Sequence, residues 1–249
     1  MEFDGKVAVV TGATSGIGMA TALRIAEQGG RVAAVGRRKD VLAQLDRPNI
    51  HSYAADLTSE IETRELIRGV LKDFQGIDIL VNAAGIIASG TIESTTLQEY
   101  DRMMNINVRA VLQLTQLALP SIIERKGNIV NVSSVTGLRA FPGVFAYCVS
   151  KAALDQFTRC AALELAPKGV RINAVNPGVV RTNLHRSSGM NEETYAAFVE
   201  RGKTTHPLGR IGEPEEIAGL IVFLASSKAG WITGVTYSID GGRAQTCAR

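Results

Sequence analysis

A run of glycines and small residues, set between an apolar strand and an apolar helix, places the first constraint on this chain. Val7-Ala8-Val9-Val10-Thr11 is short and rich in β-branched residues, the composition of a strand buried on both faces. Gly12-Ala13-Thr14-Ser15-Gly16-Ile17-Gly18 follows at once, and a helical pattern then runs through Ala20, Leu23, Ile25 and Ala26. Small residues let a backbone approach a pyrophosphate, and a helix N-terminus meets it with unpaired N–H groups. The order strand, glycine turn, helix makes Gly12, Thr14, Ser15, Gly16, Ile17 and Gly18 a candidate nucleotide cradle. The spacing is Gly-x3-Gly-x-Gly rather than the commoner Gly-x-Gly-x2-Gly, and a turn without a ligand is the competing reading.

The alternation then repeats. Gly29-Gly30 ends the helix, and Arg31 to Val35 reads as a second strand with Gly36-Arg37-Arg38 at its tip. In dinucleotide folds an acid about 20 residues beyond the glycines holds a ribose 2′-hydroxyl, whereas an arginine accommodates a 2′-phosphate. This tip has two arginines and no acid, so Arg37 and Arg38 favour NADP(H), with NAD(H) left open and solvated loop charge as the plain alternative. Ile50 to Ala55 is a third strand ending at Asp56-Leu57. Asp56 either accepts from an adenine amino group or caps the helix that starts near Ser59 and runs to about Phe74. Asp78 to Val81 is a fourth strand, ending at Asn82-Ala83-Ala84-Gly85. Such alternation builds a parallel α/β sheet whose ligands sit beyond the carboxyl ends of the strands. Gly12, Arg37, Asp56 and Asn82 all fall at such ends. The expected fold is α/β, a single-domain Rossmann-type doubly wound parallel sheet of about seven strands over 1–249.

The second half carries groups suited to proton transfer. A helical segment from about Thr96 to Leu119 holds Asn105 and Asn107, which either bend it or, for Asn107, hold a water near Lys151. Gly127 to Ser134 is strand five and delivers Ser134 to its carboxyl end. Tyr147 and Lys151 lie four apart on the next helical pattern, so the phenol and the ammonium share a face. A cation beside a phenol favours the phenolate and draws its pKa down from roughly 10 towards working pH. Such a tyrosine passes a proton to or from a carbonyl or alcohol oxygen. A chance pair on a solvated helix is the alternative for these two residues taken alone. Val170 to Val175 is strand six, ending at Asn176-Pro177-Gly178, and a seventh strand lies near Val235 to Ile239. Residues 179 to about 207 are polar and irregular except for a short helix from Glu192 to Glu200, the character of a mobile lid.

Composition narrows the setting. The net charge of +3 is too mild to point to nucleic acid or to an anionic membrane surface. No run of 18 or more apolar residues suggests a membrane span, and the N-terminus enters the first strand directly, so the cytoplasm is expected. Three cysteines without metal-ligand spacing suit a reducing compartment. Cys148 and Cys160 read as packing residues, Cys247 as an exposed tail residue, and no metal site is expected.

With these motifs in order, the chain resembles the short-chain dehydrogenase/reductase family over residues 5–243. The matching stretches are Thr11-Gly12-x3-Gly16-Ile17-Gly18, Asn82-Ala83-Ala84-Gly85, Asn107, Ser134, Tyr147-x3-Lys151, Asn176-Pro177-Gly178 and Thr182. One departure is Ala83, where the family commonly has a second asparagine, which puts local bracing of the sheet in doubt. The resemblance implies that Tyr147 is the general acid or base, that Lys151 binds nicotinamide ribose hydroxyls and lowers the Tyr147 pKa, and that Ser134 holds the substrate oxygen. It implies that Asn107 holds a water linking Lys151 to solvent, and that Pro177, Gly178, Val180 and Thr182 line the nicotinamide and pyrophosphate side. Leu57, Ala83 and Gly85 complete the implied cofactor set. It also implies a homotetramer or dimer packed through the helices at about 97–119 and 147–166. Within the family the pattern is similar to 3-oxoacyl carrier-protein reductases and to sugar, steroid and hydroxy-acid dehydrogenases. Arg125, Lys126 and Lys168 are then expected near the edge of the site, where an acidic carrier protein would dock, with solvated helix ends as the plainer account. Arg181, His185, Arg186, Arg201, Lys203 and His206 in the lid favour an anionic small substrate equally well. A nucleotide-binding regulatory protein without catalysis is the alternative to a carbonyl/alcohol oxidoreductase.

Overall fold

The computed structural model describes residues 1–246, so the expectation for Cys247 lies outside the described residues. The first half runs β1 (Val7–Thr11), α1 (Gly16–Glu27), β2 (Arg31–Gly36), α2 (Lys39–Leu45), β3 (Ile50–Ala54), α3 (Glu60–Phe74) and β4 (Ile79–Asn82). It continues through α4 (Leu97–Met104), α5 (Ala110–Glu124), β5 (Asn128–Val132), α6 (Val135–Leu138) and α7 (Phe145–Leu165). The last elements are β6 (Arg171–Pro177), α8 (Leu184–Ser187), α9 (Glu192–Thr205), α10 (Pro214–Ala225) and β7 (Thr236–Ile239).

All seven strands are parallel, in the order β3-β2-β1-β4-β5-β6-β7. The chain works outward from β1 in one direction, then returns to β4 on its other side. This reversal opens a crevice at the carboxyl ends of β1 and β4, where an α/β sheet binds ligands. Strand side chains alternate between two cores. Ala8 and Val10 of β1 join Ile25, Ile217 and Ile221 on the α1 and α10 side. Val7 and Val9 join Val70, Leu114 and Ile122 on the side covered by α3, α5 and α7. Burying both faces explains why the strands read as unbroken apolar runs.

The helix expected to end near Leu119 runs on to Glu124 as one 28-residue rod, Leu97–Glu124. Pro120 lies inside it; a proline lacks the N–H of the helical ladder, which is why the sequence suggests an earlier stop. By length and mean hydropathy this rod alone among the described helices would be long and apolar enough to cross a membrane, although it holds no unbroken apolar run of 18 residues. Here the sheet takes up its apolar face, since Leu114, Ala118 and Ile122 are buried in the core. Asn105–Arg109 form a π turn within the rod, at the two asparagines where the sequence suggests a bend. On α7, Ser150, Leu154, Thr158, Ala162 and Leu165 face inward at helical spacing. Cys160 falls off that face and is exposed, against the packing role expected for it, while Cys148 is half-buried.

Helices antiparallel to the strands end at the strands' amino ends, and this moves three expected residues. Arg125 bonds to the carbonyl of Gln75 and lies 3.7 Å from Asp78, just before β4. Lys126 precedes β5 and Lys168 precedes β6. All three therefore lie at the edge of the sheet opposite the crevice. They do not flank the site.

Candidate active site

A cavity of about 1160 Å³ follows the carboxyl ends of the strands. It is lined by every residue expected of the cofactor site, together with Ser134, Tyr147 and Lys151. Among the expected catalytic and cofactor residues, Asn107 alone is not part of the lining.

The glycine turn is packed as a cradle. Gly12 has φ +67°, and a Cβ there would sit 2.9 Å from the Ala83 carbonyl oxygen. A Cβ on Gly18 would sit 2.5 Å from the carbonyl oxygen of Gly12. Neither position admits a side chain, because the turn must fold against β4 and against its own helix. Ser15 is the N-cap of α1 yet makes no side-chain cap, so the first N–H groups face the cavity without one. An uncapped N-terminus at a glycine turn fits a pyrophosphate. The residues present thus suit a dinucleotide. At the tip of β2, Arg38 donates to the Thr14 carbonyl at 2.7 Å and ties the turn to the second strand. Arg37 lines the cavity with no side-chain hydrogen bond among the described residues, and its charge helps hold Asp56 ionised. Asp56 accepts from the backbone and hydroxyl of Thr58, which lowers its pKa, whereas Ser59 caps α3. Asp56 is not the cap.

The departure at Ala83 leaves the sheet intact. The Thr11 hydroxyl accepts from the N–H groups of Ala83 and Ala84, both at 3.0 Å, and donates to the Val81 carbonyl. Asn82 donates to Asn131, and Asn131 to Thr158, so a buried polar ladder joins β4, β5 and α7 without a second asparagine.

Ser134 closes β5 and caps α6, its hydroxyl accepting from the Thr136 N–H at 3.1 Å. Asn176, at the end of β6, donates both to the Ser134 carbonyl and to Asp155, each at 2.8 Å. This bridge fixes the serine from behind. Sequence reading assigned no role to the side chains of Asn176, Asp155 or Ser150. Asp155 follows Lys151 by one helical turn, and an acid buried on the inner face of α7 was the available signal.

Tyr147 and Lys151 are both almost completely buried. The lysine Nζ donates to the Val132 carbonyl at 2.8 Å and lies 5.7 Å from the centre of the Tyr147 ring. The expectation that Lys151 brings the phenol pKa down needs correction. Burial dominates and pushes Tyr147 up to about 12, while the Ser134 side chain pulls in the opposite direction. The same burial brings Lys151 down to about 8, opposed by the charge of Asp155, so the lysine's own proton is the looser one. Asp155 is itself raised by burial.

Asn107 is braced by the protein itself. Its side chain donates to the Ile86 carbonyl (2.9 Å) and Ser150 Oγ (3.0 Å), and accepts from the Ile86 N–H (2.9 Å). Both amide N–H groups are thus committed to the protein, and one lone pair of the oxygen remains. The π turn admits this side chain between α7 and the Gly85–Ile86 loop, where it braces the site.

The region after β6 is more ordered than an irregular lid with one short helix. The helix begun at Glu192 continues to Thr205, and α8 precedes it. Tyr195 is buried beneath the Arg186 guanidinium. His206 Nε2 accepts the Val179 N–H, and Nδ1 pairs with the Gly202 carbonyl, so the ring is neutral with its proton on Nδ1. Burial lowers its pKa in agreement.

A switch-point crevice with a tight glycine turn, an uncapped helix and a Ser–Tyr–Lys group defines a Rossmann-type dinucleotide protein equipped for proton transfer. A sequence profile described as enoyl-(acyl carrier protein) reductase matches residues 12–244. The chain is 37% identical over 249 residues to a 3-oxoacyl-(acyl-carrier-protein) reductase of Thermotoga maritima, covering 97% of this chain and 99% of that protein. It is 37% identical over 242 residues to L-xylulose reductase of Mus musculus, covering 96% of each. A short-chain dehydrogenase/reductase from Caenorhabditis elegans, solved with cofactor, superposes with a TM-score of 0.94 at 33% identity, over 100% of this chain and 98% of that one. This chain belongs to the short-chain dehydrogenase/reductase family. It is an oxidoreductase that uses a nicotinamide cofactor to interconvert carbonyl and alcohol groups.

Proposed function

We propose that the chain is an NADP(H)-favouring reductase or dehydrogenase of a small carbonyl/secondary-alcohol pair, with Tyr147 as the proton donor and acceptor. The observation that carries this reading is the joint placement of Tyr147, Ser134 and the uncapped α1 N-terminus around one cavity. The nicotinamide, when bound, supplies or takes up the hydride. Tyr147 gives its proton to the carbonyl oxygen in reduction and recovers it in oxidation. Ser134, held through Asn176, donates to that oxygen as charge develops on it. Lys151 holds the ribose hydroxyls, and Asn107 keeps α7 in register with the Gly85 loop. Pro177, Gly178, Val180 and Thr182 line the nicotinamide side, Asp56 and Leu57 the adenine. Arg37 takes the 2′-phosphate and Arg38 supports the turn.

The relatives named above act, by their names, on an acyl carrier-bound ketone and on a sugar. A free small molecule is the better reading here, because the basic residues suited to a carrier lie at the far edge of the sheet. Exposed Leu112 on α5 and Leu163 on α7 support a homodimer or homotetramer through those helices. Unpaired Cys148 and Cys160 support work in the reducing cytoplasm. The test is turnover of a ketone and secondary-alcohol panel with NADPH or NADH. Activity with kcat/KM favouring NADPH is expected; binding of NADPH with no turnover of any substrate overturns the catalytic reading.

A further inference from the structure

Positive charge at the substrate end of the cavity is not used by the chemistry at Tyr147. Arg243 comes from the turn after β7, and its guanidinium lies over the Phe141 ring at 5.0 Å. One Nη1–H goes to the Thr205 hydroxyl at 2.9 Å, and the remaining N–H groups have no partner among the described residues. Arg201, one turn before Thr205 on α9, lines the same cavity. It has neither an ion pair nor a side-chain hydrogen bond among the described residues. The two guanidiniums sense each other, since the charge of Arg201 joins burial in lowering the Arg243 pKa.

No carboxylate forms an ion pair with them among the described residues, although the charge of Asp240 acts on Arg243 in the sense opposite to that of Arg201. Among the described residues the one acid lining the cavity is Asp56, at the carboxyl end of β3 on the other side of the nucleotide cradle. Asp240 lies nearer, but its two oxygens accept the N–H groups of Gly242 and Ala244. Other lid cations are neutralised within the chain, Arg181 by Glu213, Arg186 by Glu192 and Lys203 by Glu200. Arg243 is half-buried and Arg201 exposed at the cavity mouth; two like charges facing one cavity repel, and an anionic ligand relieves that repulsion. The planar fork of arginine matches a carboxylate through paired hydrogen bonds.

We propose that the substrate carries a carboxylate, held by Arg201 and Arg243 while its carbonyl or hydroxyl faces Tyr147 and Ser134. This rests on the oxidoreductase reading above and adds the substrate class to it. Phe141 and Phe198 wall the same part of the cavity and suit a short apolar spacer between the two groups.

The experiment uses the full chain with NADPH and compares acetoacetate and levulinate with their methyl esters, together with hydroxyacetone phosphate and hydroxyacetone. At least one acid is expected to exceed its ester in kcat/KM. That ratio should fall about tenfold or more in Arg201→Gln and in Arg243→Gln, chiefly through KM, and recover in part in Arg243→Lys. Ratios near one in the wild type, or ratios unchanged by Arg201→Gln, overturn the proposal. Preference for the phosphate with none for either acid overturns the carboxylate assignment. Arg201→Gln keeps the test open should Arg243→Gln fail to fold, because Arg201 supports no neighbour. If none of these compounds turns over, the wider ketone and alcohol panel decides the oxidoreductase reading separately. Calorimetric titration of levulinate into the protein–NADPH complex still decides the carboxylate site. Binding lost in Arg201→Gln supports the site; absence of binding overturns it.

Discussion

The two edges of the sheet both collect cations and treat them oppositely. At the amino edge the Asp78 carboxylate, almost fully buried, accepts from Lys6 at 3.1 Å and from the Val7 N–H, with Arg125 at 3.7 Å. Arg171 there is held by the carbonyls of Leu224, Ile232 and Ser226. At the carboxyl edge Arg37, Lys151, Arg201 and Arg243 make no ion pair among the described residues. The first edge is a finished structure. The second leaves charge for a ligand to complete, and it does so where the strand order reverses.

That contrast can be broken most sharply at Tyr147. Tyr147→Phe removes a proton donor without emptying the site, and kcat should fall by about 10²–10⁴-fold while the NADPH Kd, measured by fluorescence titration, stays within about twofold. Substantial remaining turnover would remove the acid role. Arg37→Ala should lower the NADPH-to-NADH ratio of kcat/KM by about 10–100-fold, the scale of a lost charge-assisted pair. An equal loss with both cofactors would return Arg37 to a solvated loop residue.

Lys151 sharpens the comparison through pH. Its folded pKa, about 8, lies below its ordinary value of 10.5, so burial opposes the charged form. The unfolded chain keeps this proton between those two values while the folded chain releases it, so the lysine's penalty on stability is full at neutral pH and fades as pH rises through that window. Lys151→Met should therefore raise Tm at pH 7, with the gain shrinking towards pH 10.5, even as NADPH binding weakens. If the ammonium is needed, wild-type kcat/KM falls above pH 8, and the variant lacks that limb. A Tm difference that does not vary with pH contradicts the buried charge. At the amino edge, Arg125→Ala should cost about 1 kcal/mol in denaturant unfolding and leave kcat/KM within about twofold. A large loss of activity there would erase the distinction between the edges.

Much of this was legible in the chain because it depends on spacing. Apolar runs buried on both faces give strands, glycines at 12, 16 and 18 give the turn, and Tyr147 and Lys151 share a helix face by periodicity alone. These are local properties, so the alternation of elements, the cradle and the Ser–Tyr–Lys group could be read before any coordinates. What spacing could not give was the environment of each group. Burial, not the neighbouring ammonium, sets the phenol's acidity. Asn107 became a brace because a π turn carried it against Ile86 and Ser150. Arg125 went to the far edge because its helix runs against the strands, and Arg243 met Arg201 although 42 positions separate them in the numbering. Desolvation and pairing depend on what the folded chain brings within a few ångströms, and those neighbours come from distant segments. The sequence by itself determined the fold, the cradle and the chemistry available; the tertiary structure decided which charges are matched and which are left open to a ligand.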